Sequence, residues 1–348
     1  MQLVVRYISA FVASLATLTL GCHAPALPDS GHVISAGSQS GRLDDAERER
    51  VIHAVITDLN RRYIAPDVAQ RIGDALSIHE KRGEYRAITE GAAFADRLTA
   101  QMREVSHDMN LMVTYSEDPL PDRPPVPPPG AMERYREAMK QNHCMFERVE
   151  VLPHRVGYFK LNSFPDPAIC GAEARAAMAR LNNADAIIFD LRDNGGGYPE
   201  MVSLIAAYLF DHPEYMFNPR ENTTAQSWTR SPVPGSRLAD KPVYVLTSAR
   251  TFSGAEQFSY DLKVLKRGTL VGETTRGGAH AGVFHRIDDH FAMGIPEARP
   301  INPYKTTGWE GTGVTPDVKV KAADALVVAE KMAEKMAEKM AERDLRRR

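Results

Sequence analysis

The chain has 348 residues, of which 43% are hydrophobic and 25% charged, and its formal net charge at pH 7 is -2. This length allows one large domain or two smaller ones, and the composition is ordinary for a protein with a sizeable core. The charge balance lacks the basic excess typical of nucleic-acid-binding proteins, and no nucleic-acid-binding motif occurs. A nucleic-acid partner is therefore excluded.

The first 22 residues have the pattern of a secretory signal peptide. One basic residue, Arg6, precedes an apolar run that ends in small residues at Cys22. The run is short for a membrane span and polar sequence follows at once, which favours a signal over a membrane anchor. Its Leu-Thr-Leu-Gly-Cys ending resembles a bacterial lipoprotein cleavage site, although Thr19 stands where an aliphatic residue is usual. We therefore expect export, either to the periplasm or to a membrane surface through lipidated Cys22.

Two further cysteines follow, Cys144 and Cys170. In an oxidising compartment they could form a disulfide. The alternative is a pair of buried thiols that pack as small hydrophobic side chains. Spacing alone does not define the geometry a disulfide needs, so the predicted export is what favours the pairing.

The N-terminal half is predicted to consist of a tether, a helical domain and a linker. Residues 23–43 are rich in Ser, Gly and Pro, which is typical of a flexible tether. Residues 44–115 are predicted to form a helical domain, with helices near 46–60, 68–78 and 88–105 and a strand at 110–115. Residues 116–147 contain Pro-Pro-Val-Pro-Pro-Pro, which fits neither a helix interior nor a central strand, and are predicted to form a proline-rich linker.

Residues 148–321 alternate between strand and helix patterns. Strands are predicted at 155–161, 186–191, 243–247 and 269–272, and helices at 172–181, 202–209 and 254–265. This alternation predicts an α/β core with parallel strand pairing.

The last segment, residues 322–348, repeats Glu-Lys-Met-Ala almost without variation. The composition predicts a helix with paired Glu and Lys side chains. A four-residue repeat drifts around a helix and does not maintain the seam of a coiled coil. We therefore expect a solvated terminal helix without a catalytic role.

Ser253 is the first candidate for chemistry. It follows the predicted strand 243–247 and stands at the start of a helix, next to Gly254. The helix N-terminus and the free N–H of Gly254 would both stabilise negative charge on a tetrahedral intermediate. The alternative is that Ser253 only caps the helix, and this fragment by itself favours the cap.

Two glycine-rich fragments accompany this serine. The run Asp-Leu-Arg-Asp-Asn-Gly-Gly-Gly ends at Gly195, Gly196 and Gly197, whose N–H groups could hold an anion or an oxyanion. It lacks the spacing of nucleotide-binding loops. The second fragment, residues 308–317, carries Glu310 beside a tryptophan, and a loop glutamate of this kind is usually solvated.

Together with Gly-Glu-Thr-Thr-Arg-Gly-Gly-Ala-His at 272–280, these fragments resemble the tail-specific (C-terminal-processing) serine protease family. The resemblance is closest to the branch of interphotoreceptor retinoid-binding protein and the tricorn protease core. It implies a crotonase/ClpP-like β/α core with an N-terminal helical bundle, and a serine nucleophile at Ser253. It also implies oxyanion donors from Gly254 and one glycine of 195–197, a place for Glu310 in the catalytic set, and a peptide or protein substrate.

The resemblance leaves the catalytic base open. One branch of the family uses a lysine that would fall at Gly278, and the other uses a histidine that would fall at Asn110. Neither residue can act as the base. His280 and His107 are the candidate substitutes, because an imidazole has a suitable intrinsic pKa, and His280 is narrowly favoured.

The sequence thus predicts an exported serine peptidase that acts through an acyl-enzyme on Ser253, without a metal or organic cofactor. No metal site is predicted, since the histidines from 280 to 290 lack the spacing of metal ligands. The rival hypothesis is a catalytically impaired family member that binds a peptide or an apolar ligand. It is supported by Asn110, which stands where the histidine base would fall. An esterase-like hydrolase that uses the same serine is a third alternative.

Overall fold

The structure is a computed structural model and describes residues 42–121, 130–210, 215–221, 223–227, 238–301 and 308–347. The predicted signal peptide with Cys22, nearly all of the predicted tether and the proline run lie outside the described residues. Among the residues that are described, no helix combines the length and the apolar character that a membrane crossing requires.

Three helices form the N-terminal part of the fold, close to their predicted positions: α1 (Asp45–Arg62), α2 (Pro66–Lys81) and α3 (Gly91–Ser106). The side chain of Asp44 accepts a hydrogen bond from the Glu47 N–H and caps α1. A proline at the first position of α2 fits because that N–H would have no partner inside the helix. The apolar stripes of the three helices meet in one buried cluster.

A smaller sheet covers this helical cluster. Strand β1 (Met112–Tyr115) pairs antiparallel with β10 (Phe291–Ile301), which also pairs with β9 (Ala281–Arg286) and with β5 (Tyr215–Asn218). The fifth strand, β6 (Thr223–Ser227), pairs with β5. Strands β9 and β10 were not predicted from the sequence. The pairing of β10 with β1 joins the N-terminal helices to the C-terminal half of the chain.

The larger sheet has six strands in the order β11–β8–β7–β4–β3–β2. Its strands are β2 (Phe146–Leu152), β3 (Val156–Leu161), β4 (Ala186–Asp190), β7 (Val243–Thr247), β8 (Thr269–Gly272) and β11 (Val318–Lys319). All neighbouring pairs are parallel except β2 with β3. One face packs against α5 (Pro167–Arg180), α6 (Pro199–Ala206) and α7 (Gly254–Val264). The predicted α/β core with an N-terminal helical region is confirmed.

The opposite face of this sheet is covered by α8 (Ala325–Arg347). The expectation of a solvated terminal helix is wrong for its first half. Ala325, Ala329 and Ala333 are completely buried and belong to one cluster with sheet residues such as Tyr244 and Leu246. Residues four apart lie on nearly the same face of a helix. The four-residue spacing therefore places these alanines where the helix packs against the sheet.

The segment predicted as a linker contains a helix, α4 (Ala131–Gln141), with no buried residue. Just beyond it, Cys144 forms a disulfide with Cys170 in α5, and their Cα atoms are 5.7 Å apart. Both cysteines are buried in the core of the larger sheet. The disulfide therefore attaches the end of this segment directly to the α/β core.

Candidate active site

Ser253 occupies the turn between β7 and α7, as the residue that precedes the helix. Its backbone has φ 53° and ψ -120°, a conformation rarely adopted by residues other than glycine. Such strain persists only where the surrounding contacts enforce it, and it is concentrated at functional sites. The serine is half-buried, and the residue that follows it begins a helix whose N-terminus favours nearby negative charge.

Gly196 lies directly against this turn. A Cβ atom at Gly196 would be 2.8 Å from the Cβ of Ser253 and 2.8 Å from the nitrogen of Gly254. The φ of Gly196 is 97°, in the left-handed region that a side chain would strain. A glycine is thus required here both for space and for backbone conformation. The predicted glycine-rich turn and the predicted nucleophile are brought together.

The glycine N–H groups differ in their partners. Gly195 donates to a backbone carbonyl at 3.3 Å, and Gly196 donates to Oδ1 of Asn194 at 2.8 Å. Within the described ranges, the N–H groups of Gly197 and Gly254 donate to no residue. A Cβ on Gly254 would lie 3.3 Å from the nitrogen of Gly197, so these two groups are neighbours. They are the available pair for an oxyanion.

Glu256 fastens the serine turn to the loop after β8. Its buried carboxylate accepts hydrogen bonds from the Ser253 N–H at 2.8 Å and from Thr275 Oγ1 at 2.5 Å. It also accepts from the N–H groups of Gly277 and Gly278, at 2.6 and 2.8 Å. Burial raises the pKa of Glu256, while these hydrogen bonds act to lower it. Glu256 was not singled out from the sequence, although Ser-x-x-Glu at a helix start is a capping-box pattern.

The loop held by Glu256 leads to His280. Two residues earlier, Gly278 packs against the ring of Phe252, and a Cβ there would lie 2.3 Å from Cε2 of that ring. Phe252 immediately precedes Ser253. Glycine at 278 therefore allows the loop to approach the serine turn closely, at the position where the lysine of one family branch would fall.

His280 is paired with Asp108, which comes from the N-terminal part of the chain. Nδ1 of His280 lies 2.6 Å from Oδ2 of Asp108. The aspartate is completely buried and also accepts hydrogen bonds from the hydroxyl of Tyr63 and the N–H of Asn110, each at 2.9 Å. Burial acts to lower the pKa of His280, but the hydrogen bond and charge of Asp108 outweigh it and raise that pKa. Neither Asp108 nor Tyr63 was singled out from the sequence.

Glu310 lies beside this pair. It is not solvated, in contrast to most glutamates in loops. Its Oε2 accepts hydrogen bonds from the N–H groups of Ala279 and His280, at 2.5 and 3.0 Å, and lies 3.6 Å from Nδ1 of His280. Its Oε1 accepts a hydrogen bond from Met109 at 3.3 Å. Burial and the charge of Asp108 raise the pKa of Glu310 to about 7. The carboxylate thus orders the backbone on both sides of the imidazole.

The other predicted candidates lie differently. His107 is exposed and ends α3 in a left-handed conformation, and its ring forms no hydrogen bond with any residue of the described chain. Asn110 has a buried Nδ2 atom with no hydrogen-bond partner in the part of the chain that the structure describes. Of the two candidate histidines, His280 is the one that a carboxylate orients.

Asp108, His280 and Glu310 also have potential ligand atoms within 4.8 Å of one another. Carboxylate and imidazole groups can hold a cation. Here all four carboxylate oxygens accept hydrogen bonds from N–H or O–H groups. This arrangement favours a hydrogen-bonded network that holds an imidazole over coordination of a metal ion.

Two family models match consecutive parts of the chain. The model described as Peptidase family S41 matches residues 155–320. The model described as the N-terminal domain of Peptidase_S41 in eukaryotic IRBP matches residues 45–153. Each of the residues at the candidate site falls within one of these two matches.

Individual relatives agree with this result. The chain is 29% identical over 166 residues to carboxyl-terminal-processing peptidase 2, chloroplastic, of Arabidopsis thaliana, over 47% of this chain and 31% of the relative. It is 25% identical over 301 residues to the tricorn protease of Thermoplasma acidophilum, over 85% of this chain and 25% of that protein. The chain therefore spans less than a third of the length of each of these two relatives.

Among solved structures, a lipoprotein from Streptococcus agalactiae shares the fold, with a TM-score of 0.53 at 14% sequence identity. The match covers 83% of this chain and 96% of that one. The family membership predicted from the sequence motifs is confirmed by the two family matches, which follow one another along the chain. The chain belongs to peptidase family S41, a family of serine peptidases, and carries the N-terminal domain found in its IRBP branch.

Proposed function

We propose that this chain is a serine peptidase that cleaves peptide bonds through an acyl-enzyme on Ser253, with His280 as the general base. The observation that carries this proposal is the His280–Asp108 pair, with Nδ1 and Oδ2 2.6 Å apart. A serine hydroxyl is a weak nucleophile at neutral pH and needs a base that a third group orients. The loop leading to His280 is tied to the Ser253 turn through Glu256.

We propose the following reaction, in which Nε2 of His280 acts on Oγ of Ser253. Nδ1–H of His280 donates to Asp108, which leaves Nε2 free to accept the proton of Ser253 Oγ as that oxygen attacks the peptide carbonyl carbon. The N–H groups of Gly254 and Gly197 stabilise the resulting oxyanion. Nε2 then protonates the leaving amine as the C–N bond breaks, and an ester remains on Ser253. Water, deprotonated at Nε2, attacks this ester, releases the acid and restores the serine.

Glu310 acts in this scheme as a positioning residue. Its carboxylate accepts the backbone N–H of His280 and that of Met109, which follows Asp108. It therefore fixes the distance between the two partners of the proton relay. Its negative charge also acts to stabilise the protonated imidazole that forms during attack.

The nucleophile can be tested by covalent labelling. Wild-type protein is expected to react with a fluorophosphonate probe at Ser253, because the strained turn presents an activated hydroxyl beside an oxyanion site. Ser253→Ala is expected to abolish labelling, measured by in-gel fluorescence and by mass spectrometry of the labelled peptide. Ser259→Ala is the matched control, since Ser259 lies in the same helix and its hydroxyl donates to the Ala255 carbonyl. Correctly folded wild type that neither labels nor cleaves peptides would refute the peptidase proposal.

The second candidate function is binding of a peptide or an apolar ligand without cleavage. Asn110 favours it, because this amide stands where the resemblance places a histidine base, and an amide cannot act as a general base at neutral pH. Under this alternative, Ser253 would only precede the helix and would not react. The labelling experiment separates the two functions directly.

We also propose that the protein is exported, either to the periplasm or to a membrane surface through lipid on Cys22. The apolar run before Cys22 supports export, as does the buried disulfide between Cys144 and Cys170, since disulfides persist in oxidising compartments. Intact-mass measurement on the protein from bacterial cells is expected to show that the signal has been removed, and the added mass of a lipid on Cys22 would distinguish the membrane-attached form from the periplasmic one. A mature protein that retains residues 1–21 would contradict export by this route.

A further inference from the structure

Arg276 lies beside the nucleophile turn, on the loop between β8 and β9. Its guanidinium carbon is 4.8 Å from the centroid of the Phe252 ring, and Phe252 immediately precedes Ser253. The backbone N–H of Arg276 donates to the carbonyl oxygen of Thr251 at 3.0 Å. Both the main chain and the side chain of this arginine are thus held against the turn that carries the serine.

Arg276 is exposed, and it has no counter-ion within the described ranges. Some exposed arginines of the chain do have one, as Arg155 pairs with Asp185 at 2.8 Å and Arg148 pairs with Glu150. Stacking on a ring uses the face of the guanidinium and leaves the N–H donors at its edge free for a planar anion. The stacked position therefore leaves these donors available for a ligand.

Further positive charge surrounds the same place. Within the described residues, the guanidinium of Arg103 donates only to the backbone carbonyls of Leu111 and Met109, at 2.9 and 2.7 Å. Burial and the nearby charge of Arg276 lower the pKa of Arg103. The charge of Arg299 acts in the same direction on His280. In the described residues, neither Arg103 nor Arg276 is paired with a carboxylate, so both contribute positive charge near the site.

Among the residues that the structure describes, the carboxylates of the site form no ion pair with Arg103 or Arg276, although the charge of Asp108 acts to raise the pKa of Arg103. Asp108 and Glu256 are completely buried, and Glu310 is directed toward the backbone around His280. Each of these groups is engaged in the hydrogen bonds that build the site. The carboxylates are thus buried, whereas the guanidinium of Arg276 is exposed beside the Ser253 turn. This arrangement favours a ligand that carries a negative charge.

We infer that Arg276 is a specificity-determining residue that binds a carboxylate of the peptide substrate close to the scissile bond. A guanidinium recognises a carboxylate through two parallel N–H···O bonds, which a neutral amide cannot reproduce. The carboxylate can be the C-terminus of the peptide or the side chain of Asp or Glu. This inference rests on the proposed function, since it names the substrate class of the same site.

Binding to the Ser253→Ala protein tests the inference separately from catalysis. The probes are four fluorescein-labelled octapeptides of one sequence, with Glu or Gln at the penultimate position and a free or amidated C-terminus, and Kd is measured by fluorescence anisotropy. The preferred carboxylate is expected to tighten binding by about threefold to tenfold. Which pair of peptides shows this difference identifies the C-terminal or the side-chain source. The preference is expected to shrink between about 50 mM and 500 mM NaCl, because salt screens an exposed ion pair.

Adding Arg276→Gln to Ser253→Ala is expected to remove the difference between acidic and neutral peptides, and Arg276→Lys is expected to retain part of it. Arg148→Gln is the matched control, because Arg148 also lies over an aromatic ring, Tyr158, at 5.5 Å, but on β2. A carboxylate preference that survives Arg276→Gln would overturn the inference. So would an equal loss of affinity for all four peptides, or the absence of any preference before the substitution.

Cleavage of the same peptides by protein with Ser253 intact is measured in parallel. A carboxylate preference in binding, combined with no cleavage and no fluorophosphonate labelling, would refute the peptidase proposal and leave the assignment of Arg276 standing. Cleavage of acidic and neutral peptides at equal kcat/KM, with equal Kd, would refute the assignment of Arg276 and leave the peptidase standing.

Discussion

His280→Ala is expected to lower kcat for peptide cleavage by about 10²-fold to 10⁴-fold, the range usual for loss of a general base. The physical reason is that no other imidazole in the described residues is oriented by a buried carboxylate as His280 is by Asp108. The measurement is steady-state cleavage of a fluorogenic peptide, with the fluorophosphonate labelling rate as a second readout of serine reactivity.

Two histidine variants serve as controls for this result. His107→Ala is expected to keep kcat within about twofold, because His107 is exposed and its ring bonds to no described residue. His285→Ala removes an imidazole from the adjoining strand, where Nε2 is 2.7 Å from Glu297. A large loss in His107→Ala with full activity in His280→Ala would reverse the assignment of the base.

The same base determines the expected pH profile. A base must be neutral to accept a proton, so kcat/KM is expected to rise as the pH increases through the pKa of His280. Because Asp108 raises that pKa, the midpoint of the rise is expected above the ordinary imidazole value of 6.5. Asp108→Asn removes the charge and is expected to move the midpoint to lower pH while also lowering kcat. An unchanged midpoint in Asp108→Asn would contradict the proposed pair.

Glu256→Ala is expected to have the largest effect on stability, with a loss of about 3 kcal/mol in the free energy of unfolding. The substitution leaves the N–H groups of Ser253, Gly277 and Gly278 without their acceptor, and it leaves a cavity in a completely buried position. Urea denaturation followed by circular dichroism measures this loss. The labelling rate of Ser253 is expected to fall as well, because the turn loses the contact that enforces its strained conformation.

Glu256→Gln separates the two effects. The glutamine retains the shape and one acceptor oxygen, so a smaller loss of stability is expected, whereas its amide group would face backbone N–H donors and disturb the turn. Glu200→Ala is the matched control, since Glu200 lies in the first turn of α6 but is exposed, and little change is expected there. Unchanged labelling in a folded Glu256→Gln protein would show that the contact contributes to stability alone.

The elements of the α/β core could be predicted well because their patterns are local. Strands β7 and β8 have the predicted bounds, and Ser253 precedes a helix as expected. Buried parallel strands are continuous apolar runs, and turns between them are marked by glycine, so a short window of sequence contains the information. The strand pair β9–β10 was missed, since its residues mix apolar with charged and proline positions. Its place in the sheet depends on the long-range pairing of β10 with β1.

The candidate site could be predicted only in part for a related reason. Ser253 and the glycines are recognisable as motifs, but Asp108 and His280 are 172 positions apart, and nothing in either neighbourhood indicates the other. Their pairing depends on tertiary structure, namely on the antiparallel register that aligns Met112 with Gly294. Glu256 was within reach of sequence reasoning, because the capping-box spacing places it three residues after the serine.

The pairing of β1 with β10 has a consequence for how the proposed activity arises. Asp108 belongs to the region matched by the IRBP-type domain, whereas Ser253 and His280 belong to the region matched by the peptidase domain. Neither region alone contains a complete proton relay. In a chain whose two regions have not yet docked, the imidazole of His280 would lack the aspartate that orients it. If the proposed function holds, hydrolysis by Ser253 would therefore depend on the docking of two regions that are separate along the sequence.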